Sequence, residues 1–212
     1  QLSSWPEQAK VFADLGRWWA TNREQGKASV HFGYSLGKSQ RILAGVDSAI
    51  GPILCHGAVI ACNESYRAAG VSLPEAGYAA RQPRGYPFRE ALILAPPSAQ
   101  ASPWLRRFGE ISTAFASGWM AIRGIRRRRA VDRGFVLSDH VDWASLIQTV
   151  KATGAERVWV THGYSNIVAR YLQELGIEAH SVPTRFEGEV VTGGLEAEAE
   201  ASEEVSSGSS PA

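Results

Sequence analysis

Gly33-Tyr34-Ser35-Leu36-Gly37 is a GxSxG sequence between an apolar run and a helix-forming stretch. That is the context of a nucleophile elbow, where a sharp turn exposes a serine hydroxyl at the top of a sheet. Asp139 or Asp142 and then His162 follow in the Ser, Asp, His order of such hydrolases. The chain order argues against that chemistry, because only one helix and one strand are predicted before Ser35. His56-Gly57, the candidate for an oxyanion donor, comes after it. A plainer reading makes the glycines serve a tight turn and Ser35 cap the helix. An intermediate reading has the free amides around Ser35 and Gly37, together with Lys38, hold a phosphate at the helix N-terminus. A full P-loop is excluded, since Gly33 and the Gly37-Lys38-Ser39 block are one residue too close.

Three further segments carry candidate chemistry. Arg123, Arg126, Arg127, Arg128, Arg129 and Arg133 fall within eleven positions. They repel one another unless an anion shares the space. A solvated loop is the plain reading, and contact with a phosphate backbone through Arg126 to Arg129 is the functional one. Behind them, Phe135-Val-Leu-Ser-Asp-His140-Val-Asp142-Trp143 reads as a strand running into a polar turn and then a helix. Val158-Trp-Val-Thr-His162-Gly repeats the pattern of an apolar strand followed by a histidine. Ligands of parallel α/β sheets collect beyond the carboxyl ends of strands, which makes His140 and His162 candidates. Each could equally be a hydrogen-bonded structural histidine.

The elements that must position these residues are legible from periodicity. Ser4-Trp5-Pro6-Glu7 has capping-box spacing, and Val11, Phe12, Leu15, Trp18 and Trp19 form one helical face. Short apolar runs at 28–32, 52–55, 91–95, 113–116, 135–137, 157–160 and 178–182 predict buried strands. Helices are predicted at 36–44, 58–69, 142–152 and 165–175, with Gly176 as C-cap. This alternation predicts a mostly parallel sheet flanked by helices. Residues 71–90, rich in proline and glycine, read as a loop, and no internal repeat is present.

Composition sets further limits. Cys55 and Cys62 have neither the spacing nor the companions of a zinc ribbon and read as reduced thiols. No apolar run approaches a membrane span, and residue 1 is Gln with no leader behind it, so a cytoplasmic protein with a cut N-terminus is expected. The formal net charge of +1 conceals segregation. Seven acids and no bases lie from Glu187 onward, which leaves 22 bases against 14 acids, a net of +8, over residues 1–186. A basic body suits a polyanionic partner. The tail, poor in large apolar residues, is expected to be disordered.

The blocks GYSLGKSQRIL, APPSA around 96–99, FASGWM at 115–120, RGIRRRRAVDRGFVLSDHVDW and ERVWVTHGY resemble, in order and spacing, the metallo-β-lactamase/β-CASP nucleases. Within that group they are similar to the DNA exonucleases associated with ATP-dependent DNA ligases. The resemblance covers about residues 5–186. It implies a mostly parallel β-CASP sheet over 1–132, then the C-terminal strand and helix portion of a metallo-β-lactamase αββα domain over 133–186, with 187–212 as an acidic tail. It implies metal-dependent hydrolysis of DNA phosphodiesters in repair, two zinc ions in the intact enzyme, and association with an ATP-dependent ligase. The SxH turn with its following acid would make His140 and Asp142 catalytic, and the strand-end His-Gly would make His162 a zinc ligand. The family's HxHxDH region and other metal ligands are missing: the histidines at 31, 56, 140, 162 and 180 contain no HxH pair. The chain therefore reads as a C-terminal part with an incomplete metal site. An RNA-processing β-CASP nuclease shares every one of these features, and a noncatalytic nucleic-acid-binding remnant is a third reading.

Overall fold

The computed structural model describes residues 5–121, 130–161 and 163–183. The chain forms two compact units, Trp5–His140 and the described residues from Val141 onward.

In the first unit, α1 (Gln8–Glu24) buries Val11, Leu15 and Trp19 along one stripe. Glu7, not Ser4, stands at the N-cap, so Pro6 precedes the first turn where a capping box would have put it within. Trp19 is fully buried, and its indole N–H donates to the Glu90 carbonyl at 3.1 Å. Its truncation to alanine would cost about 3–5 kcal/mol. The chain then alternates through β1 (Ala28–Phe32), α2 (Lys38–Gly45), β2 (Ile53–Cys55), α3 (Gly57–Ala68) and β3 (Gly77–Tyr78). Strands β4 (Leu92–Ala95), β5 (Ile111–Ala116) and β6 (Arg133–Phe135) complete the sheet.

These six strands are all parallel, in the order β3-β2-β4-β1-β5-β6. β1, β2 and β4 are buried at every position. Burial on both faces explains their continuous apolar runs, since a sheet covered on both sides has no polar face to alternate with. The two-residue β3 lies inside the segment read as a loop. Arg133–Phe135 pairs with Ala114–Ala116, so residues assigned to the second domain extend the first sheet. The first unit accordingly ends at His140 rather than at 132. The apolar run at 135–137 overlaps this strand only at Phe135, because burial of Leu137 continues past the last ladder pair.

The second unit contains α4 (Trp143–Thr153), β7 (Arg157–Val160), α5 (Ser165–Glu174) and β8 (Glu178–Ser181), with β7 and β8 parallel. Ile147, Ala169, Leu172 and Ala179 form its core. Gly176 takes φ +82° after α5, and Ile177 N–H donates back to the Leu172 carbonyl at 3.0 Å, closing the helix as the sequence predicts. No described helix is long and apolar enough to cross a membrane.

Candidate functional site

All six strands of the first sheet end at one edge, and two of the sequence-predicted segments meet there. After β1 the chain turns through Tyr34, Ser35, Leu36 and Gly37 into α2. Gly37 has φ +81° and ψ −67°, and Lys38 N–H donates to the Leu36 carbonyl across it at 3.1 Å. That is a γ-turn of the rare hand, open to glycine without strain. Gly33 is small for another reason, since a Cβ there would lie 3.0 Å from Lys38 Cγ. The two glycines of GxSxG thus serve a tight turn and the passage of a lysine.

Lys38 is 3% exposed. Its Nζ donates to the Leu137 carbonyl at 2.5 Å and lies 2.8 Å from Asp139 Oδ2. Arg41, one turn later on α2, donates to the Ser138 carbonyl at 2.5 Å and to Asp139 Oδ1 at 3.3 Å. Burial pushes the Lys38 ammonium below the ordinary lysine value, Asp139 draws it back up, and Arg41 adds to the fall. The phosphate expected at Lys38 is replaced by the chain's own carboxylate. The Gly37 amide is likewise occupied, donating to Gln40 Oε1 at 2.7 Å, while Gln40 Nε2 binds the Ser35 carbonyl at 2.9 Å and Asn63 at 2.8 Å. The Gly37 amide and the Lys38 ammonium, two of the groups expected to meet a phosphate, are thus both engaged within the chain.

These contacts fasten the Ser138-Asp139-His140 turn to the carboxyl end of the sheet. His140 N–H donates to Ser138 Oγ at 3.1 Å, and its carbonyl accepts from Trp5 Nε1 at 2.9 Å. The backbone of His140 is held on both sides and its side chain is exposed. Gly118, after β5, allows this packing: a Cβ there would lie 3.0 Å from Ser138 and 3.0 Å from the Trp5 ring. Arg41 and Trp5 are positioning residues that sequence reasoning missed, and Asp139, read there only as a possible triad acid, is a third. The only sequence signal was that Arg41 and Asp139 sat inside the two motif blocks.

His31 lies beneath this turn, 1% exposed, its ring stacked on Phe135 with centroids 6.4 Å apart. Its Nε2 has no hydrogen-bond partner among the described residues. Burial, and then the Lys38 charge, lower its pKa to about 3. It is a neutral core histidine. His56 caps α3, accepting from Ala58 N–H at 3.1 Å, and packs edge-on to Trp104 with centroids 5.0 Å apart.

Among the described residues the serine-hydrolase arrangement is not built. Ser35 is absent from the described non-glycine residues with positive φ, which are Ala101 and Ala130, so the strained elbow is missing. Asp139 is engaged by two cations rather than by an imidazole. Asp142, in the second unit, caps α4 by accepting from Ser145 N–H at 2.8 Å, the plain role for a residue of its type at that place. β7 ends at Val160, two residues before His162. His162 itself, Arg126 to Arg129 and the acidic tail lie outside the described residues.

Among the described residues no group of three or more histidine, cysteine, aspartate or glutamate side chains could hold a metal ion.

A probable DNA ligase from Opitutus terrae is 30% identical over 185 residues, covering 84% of this chain. The match spans 17% of that protein's length. No family model and no solved structure matches the chain.

Proposed function

We propose that the chain is the C-terminal part of a metal-dependent DNA nuclease of the β-CASP type, acting on DNA ends in repair beside a ligase. The observation that carries this reading is the exposed His140 side chain on a backbone clamped by Ser138 and Trp5, in a turn locked to α2 by Lys38 and Arg41. A group that must meet a scissile phosphate gains from this, because a fixed backbone leaves only side-chain freedom to be lost on binding. The +8 body supplies the attraction for a polyanion. The partial likeness to a probable DNA ligase supports DNA over RNA and supports an association with ligation.

In this reading zinc supplies the hydrolytic chemistry, and most of its ligands come from a part of the protein outside this chain. His162 would contribute one ligand. Within the chain, the SDH turn presents His140 to the substrate, and the arginines of 123–133 hold the phosphate backbone without reading bases.

The test is to extend the gene upstream for an in-frame HxHxDH sequence and to assay the complete product, loaded with zinc, on end-labelled DNA. Progressive loss of terminal nucleotides is expected. A complete, zinc-loaded product that leaves DNA intact, or cleaves RNA in preference, overturns the proposal.

A further inference from the structure

Residues 78–108 carry five arginines, Arg81, Arg84, Arg89, Arg106 and Arg107, against a single acid, Glu90. The net of +4 is half of the +8 carried by residues 1–186, and it lies apart from the arginine run of 123–133. All five side chains are exposed. Among the described residues Arg17, Arg41, Arg157 and Arg170 each meet a carboxylate, whereas none of these five does.

Two of the five are fixed in place on one turn. The Arg81 guanidinium lies over the Tyr78 ring, 5.3 Å from its centroid, and that of Arg107 lies over Phe88 at 5.6 Å. Arg107 Nη2 also donates to the Ala80 carbonyl at 3.3 Å, which ties it to the residue next to Arg81. The supporting rings are themselves packed. Tyr78 closes β3 with its hydroxyl so near Gly57 that a Cβ there would lie 2.7 Å away, and buried Phe88 meets Phe108 edge-on with centroids 4.9 Å apart.

These contacts orient the two cations without neutralising them. A ring face attracts a guanidinium but takes none of its protons, and one carbonyl occupies one of five N–H donors. What remains free is a planar fork that fits phosphate oxygens in pairs, with part of its freedom already lost. A protein partner would need an apolar anchor at the centre of its contact. None of the exposed large apolar side chains falls between 78 and 108, so the surface suits a polyanion held by charge.

We propose that Arg81 and Arg107 form a second phosphate-contact patch, holding the nucleic-acid backbone at the β3 edge of the first sheet. β3 and β6 are the two edge strands and the SDH turn follows β6, so the patch holds the substrate away from the bond to be cleaved. The inference rests on the nucleic-acid reading above and extends it to a contact that reads no base.

Binding can be separated from cleavage by working in EDTA, with fluorescence anisotropy of the 212-residue chain on labelled oligo-dT over a range of salt concentrations. Arg81→Gln and Arg107→Gln keep most of the side-chain length and a donor while removing the charge. Each is expected to lower the salt slope by about 0.7, the contribution of one phosphate of a single strand, which amounts to about a fivefold loss of affinity at ~0.1 M salt. The loss should be equal on oligo-dA. Arg81→Lys should retain the slope, and Arg17→Gln, an exposed arginine of the same unit already paired with Asp14, should change neither slope nor affinity. Unchanged binding in the double variant Arg81→Gln/Arg107→Gln overturns the patch and leaves the nucleic-acid reading intact. An equal loss in Arg17→Gln overturns it as an effect of net charge alone. A double variant that loses affinity for poly-glutamate but not for oligo-dT overturns it in favour of an acidic polypeptide. A wild-type chain that binds neither oligonucleotide sinks both readings together.

Discussion

Lys38 and Asp139, 101 positions apart in the sequence, meet with Nζ and Oδ2 at 2.8 Å, the lysine 3% exposed and the aspartate 45% exposed. The pair is asymmetric. Asp139 keeps part of its hydration whether or not it is paired, whereas Lys38 depends on Asp139 and the Leu137 carbonyl to offset the loss of its own.

Lys38→Met should therefore destabilise the first unit by about 2 kcal/mol, less than a fully buried pair would lose because Asp139 remains half in water and retains Arg41. Urea unfolding of Lys38→Met, Asp139→Asn and the double variant gives the coupling, expected at about 1 kcal/mol. Additive effects of the two changes would mean that the contact does not hold the turn.

His31 makes a prediction about pH. Its folded pKa of about 3 lies below the ordinary value of 6.5, so between those limits the unfolded chain takes up a proton that the folded chain refuses. Its contribution is fully present above pH 6.5 and is lost as pH falls toward 3, on the order of 5 kcal/mol across the window. His31→Leu should flatten that part of the stability curve. At pH 7 it should be no less stable than wild type, since a buried nitrogen without a partner is removed. A curve as steep as wild type would assign the acid sensitivity to other groups.

The chain alone should not retain a zinc pair or degrade DNA. The expected HxHxDH ligands are not in the sequence, and one imidazole at His162 is a fraction of what each ion needs. Elemental analysis after dialysis checks this. Stoichiometric zinc with metal-dependent digestion would show that the site was misplaced.

In the complete enzyme, the roles of the two histidines should separate. His162→Ala should lower zinc occupancy and be partly rescued by added zinc. His140→Ala should keep its metal while slowing the chemical step about 10²- to 10⁴-fold, the range for a positioned proton donor. Metal content measured beside single-turnover rates distinguishes them, and zinc loss in His140→Ala would reverse the assignment.

How legible all this was depended on the range of the interaction. β1 and β7 have the bounds that their apolar runs predict, and α3 starts and ends one residue early; β1 is buried throughout as expected, whereas β7, expected to be buried, alternates exposed and half-buried positions. β3 was invisible, since two paired residues in a Pro/Gly-rich stretch leave no periodicity. The same limit hid the fate of Lys38. A lysine after a glycine at a helix start looks like a phosphate ligand, and only a carboxylate arriving from β6 turns it inward. Trp119 was visible as part of a motif block, but its exposure is a property of the sheet edge and not of its neighbours in sequence.

The strand order also dictates when the first unit can assemble during synthesis. β1 is buried along its whole length, yet its two neighbours are β4 and β5, the latter ending at Ala116. A ribosome adding about 5–20 residues per second needs roughly 4–17 s to pass from Phe32 to Ala116. Throughout that interval the nascent chain displays an apolar strand with at least one backbone edge unpaired, and with both unpaired until β4 emerges, so this protein draws on chaperone protection most heavily before its central strand has acquired its second neighbour.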